Sequence, residues 1–273
     1  MRVVTLNVWG RRGDWAARRA VLAEGLRRVR PDLVAFVEAI KTEEFDQAAD
    51  LLGPGYHLAH QREREADRGG DVEDGQGASI ASRWPLGEVR EVDLHVTPRT
   101  TDFAATTLIA EVHGPDHLGT FLFANHVPNW QLDFEREREL QAVAAARNIE
   151  GALAGRTRHV VLAGDLTADP DSASVRFWTG RQSLEGMSVC YRDAWESANP
   201  TDPGHTFTPL NPLMGDRTRD WPSHRLDYIM VRCTHDGPTL DIRSCRRIFD
   251  QPVGGVWATD HFGLVAELAP PES

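Results

Sequence analysis

Six places in this chain put polar groups where an apolar run begins or ends: Asn7 in LNVW, Glu38 in LVAFVEA, His126 in FANHVP, Asp165 in VVLAGDL, Asp227 in RLDYIMV and the pair Asp260-His261 in ATDHFGLV. Each alone has an ordinary structural explanation: a strand end, a turn residue, a satisfied core histidine, a partner for Arg225, a cap. Polar groups at buried strand ends are costly unless paired, so the set points to convergence on one site. The inventory suits one kind of reaction. Glu38, with Asn7 beside it, can hold a hard divalent cation through oxygen. Carboxylates at Asp227 and Asp260 can orient a histidine and raise its basicity. Metal-assisted hydrolysis with histidines moving protons is the chemistry these groups favour. The chain has no GxSxG elbow and no cysteine in a matching context, so a covalent mechanism has little support.

These residues need strands to carry them to a common edge. RVVTLNVW alternates, with Val4, Leu6 and Val8 on one face. Asp14 caps a helix expected to run to about Val29, where Val21, Leu22, Leu26 and Val29 keep helical spacing and Arg30-Pro31 stops it. DLVAFVEA reads as a buried strand, which completes a β-α-β unit. Parallel pairing there would bring Asn7 and Glu38 to one sheet edge, where α/β proteins place their sites. Residues 61–77 are charged and glycine-rich and read as a mobile, solvated loop. ASIASRWPL and LGEVREVDLHV read as strands joined by a proline turn. AATTLIAEVHG and GTFLFANHVPN read as a hairpin around Gly114–Gly119. A helix is expected from about Leu132 to Leu153, then the strand into Asp165, a Pro- and Gly-rich loop over 199–224, and the closing strands RLDYIMVR and FGLVAEL. With no repeat and no linker, residues 1–273 are expected to form a single domain of two packed sheets with helices outside.

Composition sets further bounds. The 273 residues carry 41 acidic and 30 basic side chains, a net charge of −11, which leans against a nucleic-acid polyanion as substrate without excluding it. RRGDWAARR and RSCRR are arginine-rich and could contact phosphates, although exposed helix charge is the plainer reading. No apolar run reaches the roughly 20 residues of a membrane span, and no signal peptide is seen. Three widely spaced cysteines without a CxxC leave one over from any disulfide, and reduced thiols in a cytoplasmic protein are expected.

The order of LNVW, LVAFVEA, GASIASRWPL, FANHVP, LAGDLTADPDS, GHTF, RLDYIMV and ATDHFGLVAEL resembles the endonuclease/exonuclease/phosphatase superfamily over residues 1–268. The resemblance implies an α/β fold, a four-layer sandwich of two mixed sheets face to face with helices outside. It implies a hydrolase using Mg²⁺, or Mn²⁺, held by Glu38 with Asn7 and with Asp260 as a second contact. His261 would be the base that activates water, oriented by Asp227. Asp165 would position that water, His126 would face the phosphoryl oxygens or leaving group, and Thr206 would contact phosphate. Thr167 departs from the family's Asp-x-Asn, offering a shorter donor to the phosphoryl group than asparagine does. Val37 stands where the family often has glutamine. The expected substrate is a small or lipid-linked phosphoester, with Trp221, Phe207, Leu210 and Leu213 forming an apolar wall. A nuclease is the main alternative, and a non-catalytic binding module on the same fold the more distant one.

Overall fold

The computed structural model describes residues 1–62, 64–65, 73–153, 159–219 and 222–271. The chain begins β1 (Arg2–Asn7), α1 (Trp15–Val29), β2 (Leu33–Ile40), α2 (Gln47–Leu52), β3 (His57–His60), β4 (Gln76–Ser82) and β5 (Leu86–Asp93). It continues with β6 (Thr106–His113), β7 (Thr120–Val127), α3 (Glu135–Leu153), β8 (Val160–Asp165), α4 (Ala173–Trp178), β9 (Tyr191–Asp193) and α5 (Ala194–Ala198). It closes with β10 (Asp227–Thr234), β11 (Gly237–Pro238), β12 (Asp241–Ile248) and β13 (Gly263–Ala269). One sheet runs β12-β13-β1-β2-β4-β3. The other runs β11-β10-β8-β7-β6-β5, with β9 added on β10. Both are mixed, because β1–β2 and β7–β8 are parallel and the remaining pairs antiparallel.

Strand alternation builds the layers. On β2, Leu33 and Ala35 enter a core shared with Phe121, Phe123, Val161 and Ile229 of the facing sheet. Val34 and Phe36 point the other way, against Leu22 and Leu26 of α1. On the second sheet, Leu122, Ala124, Val160 and Leu162 pack under Ala142, Ala146 and Ile149 of α3. Helix, sheet, sheet and helix therefore stack in four layers, the architecture expected.

Asp14 caps α1 as expected, accepting from Ala17 N, and Arg30 ends the helix in a left-handed conformation. The long helix starts at Glu135, later than Leu132, because Gln131–Phe134 closes as a turn and leaves Leu132 64% exposed. The 61–77 segment differs more. Arg64 is half-buried and donates to the carbonyls of Ala39, Gly75 and Ala78, and Glu65 is buried and accepts from Ala104 N. These charged side chains serve as backbone hydrogen-bond partners at the sheet edge and are not a solvated coil. Residues 63 and 66–72 of that loop lie outside the described residues.

Candidate active site

The parallel ladder sets Asn7, the last residue of β1, beside Val37 in β2. The register of β2 against β4 slips between Phe36 and Ala39, and Glu38 within the slip has φ 56°. A bulge and a left-handed non-glycine residue both carry a local cost and re-aim a side chain. Here the result is that Asn7 Nδ2 donates to Glu38 Oε1 at 3.1 Å and to Asp165 Oδ2 of the facing sheet at 3.2 Å. One buried amide thus ties the two sheets together. Asn7 Oδ1 accepts from Trp9 N at 3.0 Å.

Across the gap, the antiparallel β8–β10 ladder sets Asp227 opposite Asp165. His261 Nδ1 lies 2.9 Å from Asp227 Oδ2 and 3.7 Å from Asp165 Oδ2. Burial works to lower the His261 pKa, but the Asp227 and Asp165 carboxylates outweigh it and raise it well above 6.5. Burial, reinforced by the neighbouring Asp227 charge, pushes Asp165 up to about 7 against the pull of His261 and Asn7. The Asp227 contact holds a proton on Nδ1, so Nε2 is the nitrogen whose proton can be exchanged. Phe207 packs on the imidazole with ring centroids 4.7 Å apart. Leu210, by contrast, is 80% exposed, and Trp221 lies outside the described residues.

The remaining expected residues fall in different places. Asp260 is buried beside Thr259, whose hydroxyl donates to Asn7 O at 2.8 Å, so it adjoins the Asn7 end of the site. Thr206 is fully buried, and its hydroxyl accepts from Leu226 N and Asp227 N, which fixes the start of β10. Thr167 has φ 50°; its N–H donates to Asp165 Oδ1 at 3.0 Å and its hydroxyl to Asn129 O at 2.9 Å.

Among the described residues, no hydrogen bond or ion pair joins His126 to this group. Alternation along β7 sends Phe121, Phe123 and Asn125 between the sheets, where Asn125 donates to Phe36 O and Ser79 O. Leu122, Ala124 and therefore His126 face the α3 side, where the ring meets Trp178 edge-on and Nδ1 sits 2.7 Å from Thr107 Oγ1. Burial drives its pKa down to about 3, which keeps it neutral.

The structure adds two arginines. Arg12 Nη1 donates to Glu38 Oε2 at 3.0 Å and Nη2 to Gln76 Oε1 at 2.8 Å. Arg18 is buried beneath, donating to the carbonyls of Val8, Arg12 and Ala258, and burial lowers its pKa to about 10. The RRGDWAARR stretch is therefore not merely an exposed charged face. No spacing rule separates Arg12 and Arg18 from their exposed neighbours, and only the loop's return past Glu38 does so.

A divalent cation fits the donor set. Glu38, Asn7 and Asp260 are oxygen donors of the kind hard cations take. Ligand atoms of Asp165, Asp227 and His261 lie within 4.8 Å of one another, and among the described residues Asp227 Oδ1 is buried without a hydrogen-bond partner. Within this second group, His261 Nδ1 is already engaged by Asp227 Oδ2.

A model described as Endonuclease/Exonuclease/phosphatase family matches residues 4–261. No curated protein matches the chain. Among solved structures, the human Nocturnin catalytic domain with bound sulfate is 18% identical, with a TM-score of 0.74 over 99% of this chain and 94% of that one. D. rerio TDP2 complexed with single-strand DNA product is 19% identical, with a TM-score of 0.72 over 98% of both chains. An endonuclease/exonuclease/phosphatase from Bacteroides vulgatus is 18% identical, with a TM-score of 0.71 over 99% of this chain and 98% of that one. At these identities the likeness shows the fold.

Proposed function

This chain belongs to the endonuclease/exonuclease/phosphatase family, and we propose that it hydrolyses a compact or lipid-linked phosphoester with Mg²⁺, or Mn²⁺, as cofactor. The observation that supports this is the hydrogen-bonded run Arg12–Glu38–Asn7–Asp165, with the Asp227–His261 pair against Asp165. Glu38, Asn7 and Asp260 would hold the cation, which supplies charge neutralisation for the phosphoryl group. Asp227 fixes the imidazole so that His261 can take a proton from water, and Asp165 positions that water. Thr206 acts behind Asp227, through its backbone N–H. Thr167 adjoins Asp165, but its hydroxyl is engaged by Asn129. We take residues 1–273 to act as one catalytic domain in the cytoplasm. No helix among the described residues is long and apolar enough to cross a membrane.

The charge balance of −11 supports a compact substrate over duplex DNA, whose binders usually offer a basic face and show steep salt dependence. A second reading, a single-strand nuclease, is favoured by Trp130, which is 53% exposed on the loop after β7 and offers a face on which a base can stack. Competitive hydrolysis of phosphomonoesters, phosphodiesters, phospholipid head groups, single-stranded DNA and plasmid, at equal phosphate and physiological salt with Mg²⁺, separates the two. Preference for a small or lipid phosphoester is expected. Preferential, salt-sensitive cutting of DNA would replace this reading with the nuclease.

A further inference from the structure

We propose that Cys190 and Cys233 are a redox pair, closing a reversible cross-strand disulfide that encircles the segment carrying Thr206, Phe207 and Asp227. The pairing of β9 with β10 sets Met230 opposite Asp193, Val231 opposite Arg192 and Arg232 opposite Tyr191. One step further, Cys233 N donates to Cys190 O at 2.8 Å, so the two cysteines face each other across the ladder. Tyr191 and Arg232 both reach Glu150 on α3, which puts Cys190 and Cys233 together on the opposite face. Burial, then the adjacent Cys190 thiol, raises the Cys233 pKa to about 11.

The geometry suits a bond that forms and is readily undone. In a hydrogen-bonded antiparallel pair the Cα atoms stand about 5.5 Å apart, inside the roughly 4.4–6.8 Å range of disulfides. The Cβ atoms of such pairs stand about 4.5–5.5 Å apart, beyond the roughly 3.8 Å of a relaxed bridge. Closure therefore draws the strands together, and strained bridges are the more easily reduced ones. In a reducing compartment the pair stays as two thiols.

Cys190 is exposed and Cys233 half-buried, which makes Cys190 the entry thiol; Cys245 is buried, with a pKa raised to about 12. With glutathione disulfide as oxidant, the Cys190 thiolate attacks one sulfur and expels one glutathione thiolate. Cys233 then gives up its proton and attacks the Cys190 sulfur, expelling the second. Two protein thiols become one disulfide, and one glutathione disulfide becomes two glutathione thiols. The ring so closed spans residues 190–233. It includes Asp193, which pairs with Arg225 at 2.6 Å, and the whole 199–224 loop. Bridging a long segment restricts the unfolded chain more than the folded one.

The test uses the full-length protein equilibrated with glutathione and glutathione disulfide over a range of ratios. Free-thiol counting, peptide mass mapping without reductant and thermal melting provide the readouts, none of which depends on catalysis. Two of the three thiols should disappear, a Cys190–Cys233 peptide should appear in monomeric protein, and Tm should rise by roughly 3–8 °C. Dithiothreitol should reverse all three changes. Cys190→Ser and Cys233→Ser should each abolish the crosslink, and Cys245→Ser should leave it. A stable glutathione adduct on Cys190 with Cys233 still reduced, a Cys190-linked dimer, or no thiol loss would each overturn the proposal.

Discussion

His261 and His126 are both buried, and both belong to strand ends of the same sandwich, yet their surroundings drive them in opposite directions. His261 faces Asp227 and Asp165 between the sheets and is raised well above 6.5; His126 faces Thr107 and Trp178 beneath α3 and falls to about 3. Burial alone favours neutral imidazole in both. What separates them is whether a carboxylate shares the burial. An imidazole between carboxylates can exchange protons with a substrate, whereas one against a hydroxyl and an indole is fixed as a neutral packing and hydrogen-bonding group. Residue type at a strand end is therefore a weak guide to chemistry, and the face on which the side chain emerges is a strong one.

The largest test of that contrast is His261→Ala, for which a fall in kcat of about 10²–10⁴-fold is expected. Near-normal turnover in a variant with unchanged circular dichroism would mean that another group activates water. Glu38→Gln should raise the Mg²⁺ concentration needed for half-maximal rate and lower turnover by about 10²-fold or more. Full activity of the native protein in excess chelator would remove the cation from the scheme altogether.

His126→Phe sharpens the comparison from the other side. It should leave kcat within about threefold while lowering stability by roughly 1–3 kcal/mol, through loss of the Thr107 contact in a packed layer. A kcat loss as deep as that of His261→Ala would return His126 to the catalytic group. The same histidine gives the pH test. The unfolded ring binds its proton at about 6.5, and the buried one resists until about 3. Between those values the unfolded chain holds the extra proton, so this contribution to stability is complete above about 6.5 and shrinks as pH falls toward 3. Melting temperature should therefore fall less steeply with acidification in His126→Phe than in the native chain. Parallel curves would show that the ring is not held neutral.

Thr167→Asn should have the smallest effect. Threonine is a poor occupant of the left-handed region and asparagine a common one, so the backbone gain offsets the lost contact to Asn129 O, and stability should stay within about 1 kcal/mol. Activity on generic phosphodiesters should hold or rise. A loss of more than about tenfold on every substrate would show that the Thr167 hydroxyl is itself required.

Much of the fold was legible in the chain because alternation and capping are local. β1, β2, β7, β8 and β10 follow from runs that must bury a face, and Asp14 and Arg30-Pro31 mark the limits of α1. The short elements α2, β3, α4, β9, α5 and β11 carry too few residues for a period to show, and β12 is masked by the charges of RSCRR. The candidate site was legible in part. Asn7, Glu38, Asp165, Asp227 and His261 form one connected group, while His126 stands apart and Arg12 enters unannounced.

By itself the sequence determined which polar side chains stand near strand ends, since apolar runs of strand length dictate where the backbone reaches the edge of the core. Only the tertiary structure decided which of those ends face one another. A one-residue change in parity turns a side chain to the opposite face of a sheet. Whether His126 joins Asp165 therefore depends on the β7–β8 register. Whether Arg12 meets Glu38 depends on a bulge in β2 and a loop return that no local pattern encodes.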